Sequence, residues 1–158
     1  MHSKNFLIND EAVSISIGFI LMFSVSVLVF TALVLSFYSI YQETEKSAMQ
    51  ASFKIIGSEI SEKITTFDMI VNSINSSGGE VNSLEYEFSL PGSIAGKSYT
   101  MNITNSPYQI IMESDNGARS VSPFNITINI TERKIYSGSE NYKFKYDTNN
   151  RSIIIDED

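Results

Sequence analysis

A run of 31 residues without a charged side chain, Ala12 to Gln42, constrains this chain more than any other feature. Glu11 and Glu43 flank the run, and it contains no proline. A helix that crosses the hydrocarbon core of a bilayer needs roughly 20 apolar residues, at about 1.5 Å of rise per residue. Because the run exceeds this length, residues 12–42 are predicted to form a transmembrane helix.

A cleavable secretory signal is the alternative interpretation of this run. Such a signal has an apolar region of only about 7–15 residues and ends at a small-residue cleavage site. Here the run is longer, and Phe37, Tyr38 and Tyr41 lie near its far end, as aromatic residues do at a membrane interface. The run is therefore predicted to remain in the mature protein, and release of a soluble secreted domain is kept as an alternative.

The segments around the helix predict its orientation. A polar leader, residues 1–11, precedes it, and residues 43–158 follow. Lys4 and Lys46 place nearly equal positive charge on the two sides, so the positive-inside rule does not decide the orientation. The short leader and the large C-terminal part favour a single-pass protein of the cell membrane, with its N-terminus inside and its C-terminal domain outside the cell.

The start of the run has a distinctive order of residues. Asp10-Glu11-Ala12-Val13-Ser14 is followed by Ile17-Gly18 and then by Ile20-Leu21-Met22. This segment resembles the N-terminal segment of archaeal type IV pilin-like proteins, over about the first quarter of the chain. The resemblance implies a long N-terminal helix followed by a C-terminal β-domain, the lollipop-like fold of pilins, and a place in a cell-surface filament.

The candidate processing site follows from this resemblance. The resemblance implies cleavage by a prepilin peptidase near the Ala12–Val13 bond, and Glu11 is the residue immediately before Ala12. Glu11 stands where the family usually has Lys or Arg, and Ile15 stands where it has proline. The chain is therefore either processed and found in an extracellular filament or retained as an unprocessed pilin-like membrane protein.

Beyond Gln42 the chain becomes polar but keeps a helical pattern. Apolar residues recur at steps of three or four, which is typical of one apolar face of a helix: Phe53, Ile56, Ile60, Ile64, Phe67, Val71 and Ile74. Ser76-Ser77-Gly78-Gly79 is a strong helix-ending signal. Residues 43–76 are predicted to form an amphipathic helix, continuous with the membrane helix, that packs on its own domain or, in its upper part, also on other subunits.

From Val81 onward the apolar residues alternate with polar ones, as they do in half-buried strands. Turn signals such as Pro91-Gly92 and Asp115-Asn116-Gly117 favour antiparallel neighbours. The predicted strands are Leu84–Leu90, Ser98–Thr104, Tyr108–Ser114, Phe124–Thr131, Lys134–Gly138 (or an extension of the strand before it), Asn141–Asp147 and Arg151–Asp156. Residues 80–158 are thus predicted to form one meandering antiparallel sheet on the helix, and the fold class is α+β.

The composition excludes most catalytic chemistry. The chain has no cysteine, and its one histidine is His2 in the leader, so thiol and histidine chemistry on the domain is unavailable. No G-x-S-x-G motif or phosphate-binding loop is present. The net charge of −7 argues against a nucleic-acid partner. We predict no enzymatic activity, no metal site and no cofactor.

Five asparagines stand in the N-x-[ST] acceptor pattern for N-glycosylation: Asn75, Asn102, Asn125, Asn129 and Asn150. Asn125 and Asn129 are expected on the polar face of a strand whose other face carries Ile126, Ile128 and Ile130. Glycosylation is one interpretation of these sites in a domain outside the cell. The other is that they are ordinary polar residues of an exposed sheet.

Small residues in the apolar run, Ser14, Gly18 and Ser24, would allow close approach of another helix, although serines are also tolerated in an isolated membrane helix. Together with these residues, the resemblance to pilin-like proteins implies a structural subunit of a type IV pilus-type filament or secretion-like assembly. Many pilins carry a glutamate early in this helix, and its absence here favours a minor subunit. The expected partners are the membrane, other pilin-like subunits including copies of itself, and the assembly machinery. The alternative is a single-pass, membrane-anchored extracellular binding module that does not polymerise.

Overall fold

One α-helix, α1, extends from Asp10 to Ser76. The computed structural model describes residues 10–138 and 141–157, and residues 10–14 by their backbone only. Most of the predicted leader, residues 1–9, therefore lies outside the described residues. The helix ends at the predicted position, because Gly78 has a φ of 77° and the Gly79 N–H donates to the Ile74 carbonyl at 3.0 Å. A glycine in this left-handed conformation is a common way to cap a helix C-terminus.

The chain forms two compact units with a boundary between Glu43 and Thr44. The first contains the N-terminal part of α1. The second contains the rest of α1 and the β-domain, whose strands are β1 (Glu85–Ser89), β2 (Tyr99–Asn105), β3 (Tyr108–Ser114), β4 (Arg119–Pro123), β5 (Asn129–Ile130), β6 (Arg133–Tyr136), β7 (Asn141–Asp147) and β8 (Ser152–Glu157).

The strands form two sheets of four, in the orders β1-β7-β8-β5 and β4-β3-β2-β6. All neighbours are antiparallel except β5 and β8, which are parallel. The α+β layout, with an apolar N-terminal helix and a largely antiparallel β-domain, is confirmed. The prediction of a single meandering sheet is wrong, because the chain leaves the second sheet after β4, adds β5 beside β8, and returns to the second sheet as β6.

Individual strands agree with the predictions to different degrees. The predicted bounds of β3 and β7 are confirmed. The predicted strand Phe124–Thr131 is wrong over most of its length, since only Asn129–Ile130 pair with a neighbour. The Lys134–Gly138 segment forms a separate strand, β6, and does not extend β5. The strand β4 was not predicted, because Arg119–Pro123 contains one large apolar residue, Val121, and this side chain is exposed.

The apolar face of the amphipathic part of α1 covers both sheets. Phe53 packs against Tyr99 of β2, with ring centroids 5.7 Å apart, and Phe67 packs against Phe144 of β7 at 6.3 Å. Five of the seven residues of the predicted apolar face are buried, and Ile56 and Ile74 are partly buried beside them. Fully burying a large apolar side chain contributes about 1.5–3 kcal/mol. One helix face therefore supplies much of the core of the second unit.

Gly57 allows β4 to approach the helix closely. A Cβ atom at this position would lie 2.5 Å from the Ser122 hydroxyl and 3.1 Å from the Ser122 Cβ. An added methyl group would displace the Ser122 hydroxyl and push the Ser122 Cβ away by a few tenths of an ångström. Glycine at 57 therefore determines how closely the edge of the second sheet packs on α1.

Candidate membrane and helix-packing segment

The apolar segment, residues 15–42 of α1, exposes large hydrophobic side chains on every face. Those between Ile15 and Tyr41 are between 46% and 74% exposed. Phe19, Ile20, Leu21, Met22 and Phe23 are consecutive and all exposed, and at about 100° per residue they cover the full circumference of the helix. A helix of a soluble protein typically has one apolar face, whereas a helix apolar all round requires lipid or other helices on all sides.

Hydroxyl groups in the apolar segment are bonded within the helix itself. Ser24 donates to the Ile20 carbonyl at 2.8 Å, and Ser26 donates to the Met22 carbonyl at 2.9 Å. Thr31 and Ser36 make the same bond four residues back. A hydroxyl without a partner would be costly in hydrocarbon, and these bonds remove that cost. These four side chains are therefore compatible with the interior of a bilayer.

Two of the predicted helix-packing residues, Gly18 and Ser24, lie on an open surface. Ser24 is exposed, and no described atom outside the neighbouring turns of the helix lies within 4 Å of a Cβ built on Gly18. Ser14 lies within α1, as do the processing-site residues Glu11, Ala12 and Val13, but their side chains lie outside the description. Within the described residues, Gly18 therefore has space beside it for a side chain.

The five glycosylation acceptors differ in their surroundings. Asn75, Asn125, Asn129 and Asn150 are exposed, and Asn102 is half-buried in the central strand β2. The pattern requires a hydroxyl at its third position, and three of these hydroxyls donate hydrogen bonds within the fold. Ser77 donates to the Ser73 carbonyl, Thr104 to the Pro107 carbonyl and Thr127 to the Asp68 carboxylate. A fourth, Ser152, is buried. Among the described residues, only Asn129-Ile130-Thr131 combines an exposed asparagine with an exposed hydroxyl that has no partner.

A buried carboxylate on α1 holds the segment between β4 and β5. Asp68 is 5% exposed and accepts hydrogen bonds from the backbone N–H groups of Thr127 and Ile128, at 3.2 and 3.0 Å. It also accepts from the Thr127 hydroxyl and the Asn72 amide. This role of Asp68 was not predicted from the sequence. An acidic residue directly beside Phe67, on the buried side of an amphipathic helix, is the signal that could have indicated it.

Tyr99 is the titratable group whose protonation the fold changes most clearly. Burial, together with the nearby Tyr142, raises the pKa of its phenol to about 12 from its ordinary value of 10. Its hydroxyl donates to the Pro91 carbonyl at 2.6 Å, which fixes the loop before β2. This geometry indicates a structural tyrosine.

The described residues contain no group of three or more His, Cys, Asp or Glu side chains placed to hold a metal ion. By length and composition, α1 is the one described helix that could cross a membrane. Fold and surface therefore define an α+β protein with a long apolar N-terminal helix that is compatible with a single-pass membrane anchor.

The chain belongs to a family of unknown function, DUF7266, whose family model matches residues 8–145. That match extends from the residues just before α1 through most of the β-domain. No curated protein and no solved structure matches this chain.

Proposed function

We propose that this protein is a pilin-like structural subunit of a cell-surface type IV pilus-type filament or secretion-like assembly, in which it acts as a minor subunit. The observation that carries the proposal is the apolar segment, whose large side chains are exposed on every face. Such a surface is stable in lipid before assembly and in a bundle of neighbouring helices after it. The resemblance of the first quarter of the chain to archaeal type IV pilin-like proteins supports the second environment.

The length of the apolar segment supports two successive environments. A bilayer core uses roughly 20 residues, and the uncharged run has 31. Residues beyond those needed to span the core, among them Tyr38 and Tyr41, suit the interface. In this proposal the N-terminus is cytoplasmic, the β-domain is outside the cell, and cleavage near Ala12–Val13 precedes assembly.

The absence of an acidic residue between Ala12 and Gln42 is why we propose a minor subunit. A buried carboxylate in a helical filament core needs a specific partner, so it sets the register between neighbouring subunits. A helix without one packs with less register specificity. This property suits a subunit present in few copies better than one that repeats along the filament.

Replacement of Gly18 by leucine tests the proposal. Because no described side chain lies within 4 Å of a Cβ at this position, the substitution leaves the fold and membrane insertion unchanged. In an assembly, the added side chain separates helices that approach closely at Gly18, and the amount of the protein in sheared surface filaments falls. Val27→Leu is the control for a substitution within the apolar segment, since at about 100° per residue position 27 lies on the opposite face and the change adds only one methylene.

A single-pass, membrane-anchored binding module that does not polymerise is the second candidate. Glu11 favours it, because an acidic residue stands where the pilin-like family usually has a basic one before the cleavage site. In this case the native protein keeps its leader and is found in membranes only. Gly18→Leu and Val27→Leu then have the same, negligible effect on its distribution.

A further inference from the structure

A polar cavity of about 540 Å³ lies at the C-terminal end of α1. Three segments converge there: the last turn of the helix, the loop that follows it, and the turn between β7 and β8. Its polar lining consists of Asn75, Glu80, Asn82, Tyr146, Thr148 and Arg151. We call this site the helix-end cavity.

Arg151 is the unusual residue of the helix-end cavity. The other two arginines have partners in the fold: Arg119 pairs with Glu113 at 2.9 Å, and Arg133 donates to the Ile155 carbonyl at 2.7 Å. Within the described residues, the Arg151 guanidinium makes neither an ion pair nor a hydrogen bond. The same holds for the side chains of Glu80, Asn82 and Thr148. The cavity thus presents four exposed polar side chains whose hydrogen-bonding groups are open to a ligand.

The backbone at Arg151 is also unusual. Its φ is 48°, in the left-handed region that glycine and asparagine adopt far more easily than other residues. Glycine would suit this turn better on conformational grounds. Unfavourable backbone conformations of this kind concentrate at functional sites, where the side chain has a use that offsets the strain.

We propose that the helix-end cavity binds an acidic saccharide, a sugar unit with one carboxylate and several hydroxyls. A guanidinium recognises a carboxylate through two parallel hydrogen bonds. The amides of Asn75 and Asn82 and the Thr148 hydroxyl can donate hydrogen bonds to sugar hydroxyls or accept them, and the Glu80 carboxylate can accept hydrogen bonds from these hydroxyls. The Glu80 charge and the net charge of −7 disfavour a polyanion. This inference does not depend on whether the protein polymerises.

The test measures binding of methyl galacturonoside, a sugar with a single carboxylate, to the full chain in detergent micelles by calorimetry, with the neutral methyl galactoside for comparison. Arg151→Gly relieves the left-handed strain, so the melting temperature stays unchanged or rises. The lost charged hydrogen bonds weaken binding of the acidic sugar by about tenfold or more. Ala95→Gly is the control for the backbone effect, since Ala95 also has a positive φ, 51°, and is not part of the lining.

The proposal requires the acidic sugar to bind more tightly than the neutral one, and to do so in the parent chain and in Ala95→Gly but not in Arg151→Gly. Equal binding of the two sugars overturns it, as does full binding by Arg151→Gly. Absence of saccharide binding together with Arg151-dependent binding of a peptide C-terminal carboxylate also overturns it. None of these outcomes bears on filament assembly, so this proposal and the proposed function fail independently.

Discussion

Replacing Asp68 by alanine tests how α1 holds the β-domain together. The carboxylate accepts from two backbone N–H groups at 3.0 and 3.2 Å, from the Asn72 amide at 3.1 Å and from the Thr127 hydroxyl at 3.2 Å. A hydrogen bond to a charged group contributes about 1.5–3 kcal/mol, and a buried donor left without a partner costs about 1–3 kcal/mol. Thr127 is exposed, so water replaces part of this loss. We expect the free energy of unfolding to fall by about 3 kcal/mol.

The assay is unfolding of the β-domain in the full chain in detergent micelles, followed by the near-ultraviolet circular dichroism of the tyrosines. For a domain of this size the loss lowers the melting temperature by about 10 °C. Asp68→Asn keeps one acceptor oxygen and is expected to lie between the parent and the alanine variant. Glu62→Ala, at an exposed position on the same helix without an ion pair, stays within about 0.5 kcal/mol of the parent. If the melting temperature of Asp68→Ala falls no further than that of Glu62→Ala, the Asp68 carboxylate does not hold the β-domain together.

Three further predictions concern separate parts of the β-domain. Because the pKa of Tyr99 is about 12 in the fold and 10 when unfolded, its contribution to stability is complete below pH 10 and is lost as the pH rises to 12. Tyr99→Phe removes this alkaline loss of stability, which urea unfolding at pH values between 10 and 12 would measure. An equal loss of stability in the variant and the parent would contradict this prediction. Gly57→Ala gains helix propensity but forces Ser122 away, so the free energy of unfolding falls by about 1–2 kcal/mol. Adding Ser122→Gly to the same chain should recover part of this stability. Equal stability of Gly57→Ala and the parent would show that β4 moves freely. If the native protein is glycosylated after folding, peptide mass spectrometry should find the glycan on Asn129, and occupancy of Asn125 alone would contradict this because the Thr127 hydroxyl is engaged by Asp68.

The helix and several strands could be predicted because their signals are local. The apolar spacing from Phe53 to Ile74 describes one helix face regardless of what covers it, and alternation in Asn141–Asp147 describes one strand face. The missed strand, Arg119–Pro123, lacks such a signal. It is an edge strand, and its buried contact with α1 is made by Ser122, across from Gly57. A serine facing a glycine carries no apolar pattern.

The shortened strand shows how a distant residue changes local structure. Residues Phe124–Thr131 alternate well enough to predict a strand, and Asn125 and Asn129 are exposed as expected. However, the N–H groups of Thr127 and Ile128 donate to Asp68, about 60 residues earlier, and are not available for a sheet ladder. Likewise, the helix-end cavity brings Asn75 and Glu80 to Arg151. Contacts between residues so far apart in sequence are set by the fold, so a single sequence without that fold does not predict them.

The state of the N-terminus in native material tests the central claim most directly. The measurement is N-terminal sequencing of the native protein from sheared surface filaments and from membranes, with the amount in each fraction determined in parallel. The proposed pilin-like subunit predicts a chain that starts near Val13 and is present in the filament fraction. A chain that keeps its leader and occurs only in membranes contradicts that claim and supports the anchored module, and a chain that has lost the whole of residues 12–42 contradicts both.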